Sequence, residues 1–152
     1  MLNDLIQELE EKFHRISSQL GIAVESQIRE MMGKFKGQTV DGNLLGTDLT
    51  IVLPAFKEIK EYNSRNGAIQ VDALAKNKET WAVEIKWTNR RSNKSDIARF
   101  YQSTTSLTNR HWFISKNGFT DLAAAFARAN GVYISNLADL KRLARILKYR
   151  LQ

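Results

Sequence analysis

Cysteine is absent from the 152 residues, which removes thiol catalysis, cysteine-based zinc sites and disulfides together. That absence fits a reducing compartment, so the cytoplasm is the expected location. No stretch approaches the roughly 20 apolar residues that cross a bilayer, and the start lacks the basic and apolar pattern of a signal peptide, so no membrane partner is expected. The two histidines, His14 and His111, show no metal-ligand spacing and read as structural or surface residues. Acidic residues are in deficit: 16 Asp plus Glu stand against 23 Lys plus Arg, a net charge of +7, with a pI near 9.8. A molecule so charged attracts polyanions, and nucleic acid is the natural partner to test. The same charge also describes an ordinary solvated surface, so it decides nothing alone.

What is present suits one compact domain, since 43% hydrophobic residues in a chain of this length bury a core without a staple. In residues 2–20 the apolar positions Leu2, Ile6, Leu9, Phe13, Ile16 and Leu20 recur at spacings of four and three, the seam of an amphipathic helix and a candidate dimer contact. A second helical pattern carries Ile22, Val24, Ile28, Met31, Met32 and Phe35 until Gly33 and Gly37 close it. Residues 38–48 read as loop, and the apolar run 49–53, closed by Pro54, is either strand or turn.

Three strand patterns then follow in close order over residues 56–62, 68–75 and 80–87. Asn66-Gly67 joins the first pair and the polar triplet Asn77, Lys78 and Glu79 the second, so an antiparallel meander is expected. Ser95 and Asp96 then cap a helix reaching about Leu107, and residues 111–115 form a fourth strand. Thr120 caps a helix over residues 121–129 that Gly131 ends before a short strand at 132–135, and Asn136 opens a last helix. A strand, a helix and a strand in succession imply a parallel pair. The fold class is therefore α/β, with a central mixed β-sheet of a three-stranded antiparallel meander plus a parallel pair, flanked by helices.

Alternate residues of a strand share a face, so Glu84 and Lys86 point together and away from Val83, Ile85 and Trp87. If the triplet 77–79 is a three-residue turn, Lys76 meets Thr80 and the same register sets Asp72 opposite Glu84. Two opposed carboxylates beside Val71, Leu74 and Val83 repel each other, and a bound divalent cation would relieve the conflict. Hard oxygen donors suit Mg²⁺, with Mn²⁺ as the alternative, and Lys86 would place its ammonium against an attacking water or a phosphate oxygen. An ordinary cross-strand ion pair between Asp72 and Lys86 is the competing reading.

With V-D-A-L in one strand and E-I-K in the next, the chain resembles the restriction endonuclease-like nuclease superfamily and its D-(x)n-(D/E)-x-K signature. Residues 112–120, with F-I-S-K-N-G-F-T, are similar to a strand and turn of Mrr-type restriction nucleases, and Val71 stands where the pattern often has proline. The resemblance implies a metal-dependent DNA endonuclease over residues 21–152, with residues 1–20 as a separate amphipathic helix. It implies that Asp72 and Glu84 ligate the metal with the Ile85 carbonyl, that Lys86 assists the water and that Glu25 supports them. It further matches Gln102 to a glutamine of Mrr-like members. Arg90, Arg91 and Lys94 follow the E-x-K strand and Arg99 lies a turn along the next helix, a position suited to phosphate contact. The outer face of the last helix, with Lys141, Arg142, Arg145, Lys148 and Arg150, reads as a solvated face or a second electrostatic footprint. The alternative to an active nuclease is a catalytically inactive nucleic-acid-binding or assembly module of the same fold.

Overall fold

The computed structural model describes residues 4, 5, 7, 8 and 23–151. The seam expected over residues 2–20, the dimer contact drawn from it and His14 thus lie outside the described residues, apart from four helical positions. Helix α1 is described over residues 23–32 and buries Ile28, Met31 and Met32, with Phe35 just beyond it. It closes at Gly33, whose N–H donates back to the carbonyls of Arg29 and Glu30. The undecided run at 49–53 contains a strand: β2 (Ile51–Val52) pairs antiparallel with β1 (Thr39–Val40) across a 3-10 turn at Gly42–Leu45.

The main sheet has five strands in chain order: β3 (Glu58–Asn63), β4 (Gln70–Lys76), β5 (Thr80–Lys86), β6 (Arg110–Ser115) and β7 (Val132–Ser135). The first three form the expected meander, while β6 runs parallel to both β5 and β7. Helices α2 (Lys94–Thr104) and α3 (Asp121–Asn130) cover one face, where Ile97, Phe100, Ala123 and Ala127 meet Leu74, Ala82 and Phe113. Helix α4 (Leu137–Ile146) and α1 cover the other, against Trp81, Val83, Ile85, Trp112 and Ile114. Burial on both faces explains why β5 and β6 are almost continuously apolar. Glu84 and Lys86 depart from that pattern on β5.

Two helix ends differ from expectation. The N-cap of α2 is Asn93 instead of Ser95 or Asp96, because its side chain accepts the Asp96 N–H while the Asp96 carboxylate accepts the Asn93 N–H, both at 2.9 Å. This reciprocal box satisfies two donors that either alternative would leave open. The helix stops at Thr104, short of Leu107, where the Thr104 hydroxyl donates to the Phe100 carbonyl at 2.7 Å and lies 2.9 Å from His111 Nδ1. His111 is buried in that structural role, and burial lowers its pKa from the usual histidine range. Asn93→Ala is expected to cost about 1 kcal/mol and lower the thermal midpoint by about 2–4 °C, read by circular dichroism.

Candidate active site

The site is made where β4 departs from regular pairing. On the β5 side the register runs from Lys76↔Thr80 to Ala73↔Val83, which on continuing sets Asp72 against Glu84 as the turn residues imply. On the β3 side the register shifts by one between Lys60↔Leu74 and Tyr62↔Val71, so Asp72 and Ala73 together face Glu61. This is a β-bulge, and it turns the strand enough for Val71 and Leu74, three residues apart, to pack in the same helix-facing cluster. The bulge leaves the Asp72 backbone short of ladder partners. Arg29 Nη1 on α1 donates to the Asp72 carbonyl at 3.0 Å, and the Ile85 N–H donates to Asp72 Oδ2 at 2.7 Å. One carboxylate oxygen thereby takes a place in the sheet and its orientation is fixed.

Glu84 is 20% exposed at its side chain, and Lys86 Nζ lies 3.9 Å from its Oε1 while being 47% exposed itself. Burial, then the charge of Asp72 and a side-chain hydrogen bond with it, push the Glu84 carboxyl up to about 8, with Lys86 opposing the shift. The surroundings of Glu84 thus favour its protonated form. Glu25 on α1 is drawn into the same field: burial and then Asp72 raise its pKa, Arg29 lowers it, Glu61 raises it and Lys86 lowers it. Arg29, four residues after Glu25 and hence on the same helix face, also lies 3.5 Å from Glu61 Oε1. Among the described residues no three His, Asp or Glu side chains form a ready metal cage. A pair of carboxylates with oxygen donors free suits a hard cation that keeps waters and takes substrate phosphate, as Mg²⁺ does.

A cleft of about 330 Å³ opens beside Glu84 and Lys86. The β3–β4 turn supplies Gly67 and Ala68 and the start of β4 supplies Gln70 to one wall, and α2 supplies Asp96, Arg99 and Ser103 to the other. Gly67 holds φ +71 there, a left-handed conformation that suits glycine in a tight turn.

The residues read from the sequence are placed unevenly. Asp72, Glu84, Lys86 and Glu25 come together, Ile85 contributes its N–H to Asp72, and Arg99 lines the cleft. Arg90 is exposed and lies 4.0 Å from Asp96, Arg91 is exposed outside the cleft lining, and Lys94 sits over the Phe126 ring at 5.9 Å, toward α3. Gln102 is exposed, and Ser103 takes the cleft position instead. Arg29, Gln70, Asp96 and Ser103 were not read as site residues. Arg29 was detectable from its spacing to Glu25, and Gln70 from its place two residues before Asp72.

A family model described as restriction endonuclease (Mrr_cat) matches residues 56–147. No curated protein matches the chain. Among solved structures, the crystal structure of a protein of unknown function, AF1548, is similar at 16% identity and a TM-score of 0.47, over 84% of this chain and 64% of that one.

Proposed function

The chain belongs to the restriction endonuclease family that matches residues 56–147, and from that membership we propose that it is a Mg²⁺-dependent endonuclease hydrolysing phosphodiester bonds in DNA. The observation that carries this reading is the forced meeting of Asp72 and Glu84 beside the Lys86 ammonium. Such a pair is costly in a resting protein and is resolved by a divalent cation. Asp72 and Glu84 would hold the metal, with the Ile85 carbonyl as a further oxygen donor and Mn²⁺ as an alternative ion. When bound, the cation supplies an activated water and charge stabilisation on the scissile phosphate.

The chain's own residues do the rest. Asp72, with Oδ2 held by the Ile85 N–H, keeps Oδ1 directed and rigid. Glu84 would hold the cation as its carboxylate, its proton passing to solvent. Lys86 sets a positive charge beside Glu84 for the attacking water or the phosphate oxygens. Glu25 and Arg29 act as positioning residues, Glu25 through its field on Lys86 and Arg29 through the bulge it pins. Arg99, Gln70 and Ser103 offer polar contacts to the strand that enters the cleft.

The test is a Mg²⁺ and Mn²⁺ titration against linear, nicked, branched and single-stranded DNA, comparing the wild type with Glu84→Ala. Cleavage that depends on the metal and disappears in the variant is expected. Absence of cleavage in both, with no metal-induced stabilisation of the wild type, would move the reading to a binding module of the same fold.

A further inference from the structure

Beyond the carboxylate site, Lys141, Arg145, Lys148 and Arg150 converge with Tyr149 and Leu151 on an open groove of about 540 Å³ whose lining, among the described residues, holds no carboxylate. Among the described residues none of these four cations makes a salt bridge. On a merely solvated helix face such side chains fan outward along the axis. Here the turn after α4 folds them back onto one depression.

That turn is held in place at several points. The Lys148 N–H donates to the Arg145 carbonyl at 3.2 Å and the Tyr149 N–H to the Ala144 carbonyl at 2.8 Å, closing the helix end. The Tyr149 hydroxyl donates to Glu30 Oε2 on α1 at 2.7 Å. Lys148 sits at φ +56, and among the described residues it is the one non-glycine with positive φ. Glycine is the usual occupant of this position because a Cβ is strained there. A lysine held in that conformation, with its side chain in a cationic groove, points to a use for the side chain.

The groove also reaches the end of the catalytic strand, on the sheet face opposite the cleft. Lys141 lines a second, apolar depression together with Val24, Leu151 and Trp87, the residue after Lys86. Lys116 Nζ lies 6.0 Å from the centre of the Trp87 ring. Trp87 points to the opposite face of the sheet from Lys86, so Lys141, Arg145, Lys148 and Arg150 lie round the end of β5 from the cleft, with Lys116 beside Trp87 at that end.

We propose that this groove binds the sugar-phosphate backbone of the polynucleotide cleaved at Asp72 and Glu84, several phosphates away from the scissile bond. The proposal rests on the nuclease reading above, and takes from it the identity of the polyanion. It makes the turn after α4 a second anchoring point that sets how far the substrate must extend along the protein.

The test measures equilibrium binding of a fluorescent DNA duplex in EDTA over a range of salt, alongside Mg²⁺-dependent hydrolysis of bis(4-nitrophenyl) phosphate, which is too small to reach the groove. Replacing Lys141, Arg145, Lys148 and Arg150 by Gln is expected to reduce the slope of log K against log salt by about 3.6, at about 0.9 per phosphate, with affinity falling on the order of 100-fold and small-ester hydrolysis unchanged. Lys148→Gly separates binding from folding. It is expected to raise the thermal midpoint by about 2–4 °C as strain is relieved, while reducing the salt slope by about 0.9. Unchanged slope and affinity in both variants would overturn the proposal, as would a rise in midpoint for Lys148→Gly with no loss of binding. A wild type that hydrolyses neither ester nor DNA would overturn the nuclease reading, and the salt slope would still decide the groove.

Discussion

Glu84→Gln is expected to make the metal-free protein gain stability on the wild type as the pH rises toward 8, while abolishing cleavage. The folded-state pKa of Glu84 is raised from 4.5 to about 8. Its stabilising contribution is therefore fully present below pH 4.5 and is lost as the pH rises through 8, because the fold holds a proton that the unfolded chain has released. Across that window the wild type loses about 1.4 kcal/mol per pH unit from this group. Glutamine resembles the protonated acid, donates its amide N–H to Asp72 and does not titrate. Urea unfolding in EDTA at pH 6, 7.5 and 9 should show the variant gaining on the wild type by on the order of 3 kcal/mol between pH 6 and pH 9. Saturating Mg²⁺ should stabilise the wild type and leave the variant unmoved. A difference between the two that is flat across pH would mean that Glu84 is already ionised in the fold.

Lys86→Ala is expected to reduce single-turnover cleavage about 1,000-fold, with duplex affinity and stability nearly unchanged. The half-exposed Lys86 side chain carries little of the core, so its loss removes charge without leaving a cavity. Lys86→Arg should not restore the rate, because a planar guanidinium cannot put a compact charge where the ammonium stands. Retention of more than about a tenth of the wild-type rate in Lys86→Ala would remove Lys86 from the chemistry and leave it as an ion-pair partner of Glu84.

The hairpin was legible because its register is local: a three-residue turn at Asn77–Glu79 fixes every pairing back to Ala73↔Val83. The bulge at Asp72 was not, since it depends on Glu61 across the sheet and Arg29 from a helix 43 residues away. Periodicity cannot report a partner so distant. Strand β1 falls in the segment read as loop, and β2 in the run left open between strand and turn, for the same reason: two residues paired with two others carry no alternation to read. The position of Gln102 was legible in principle. Buried Ile97, Phe100 and Thr104 define the core-facing side of α2, and Gln102 lies almost opposite it. The cap of α2 required choosing among Asn93, Ser95 and Asp96, and the reciprocal bonds that select Asn93 are a pattern in coordinates more than in letters.

The strand order β3-β4-β5-β6-β7 follows the chain without exception. Within the β3–β4–β5 meander each strand therefore finds its partner among residues already nearby, whereas the parallel pairs β5–β6 and β6–β7 close only through the crossovers that carry α2 and α3. Asp72 and Ile85 are only 13 residues apart. Their hairpin can thus close while both carboxylates are still in water and ionised. The proton would then be taken up later, as α1 and α2 settle over the site and exclude solvent. Refolding in weak buffer should show two separable signals, a fast gain of β-structure and a slower uptake of protons.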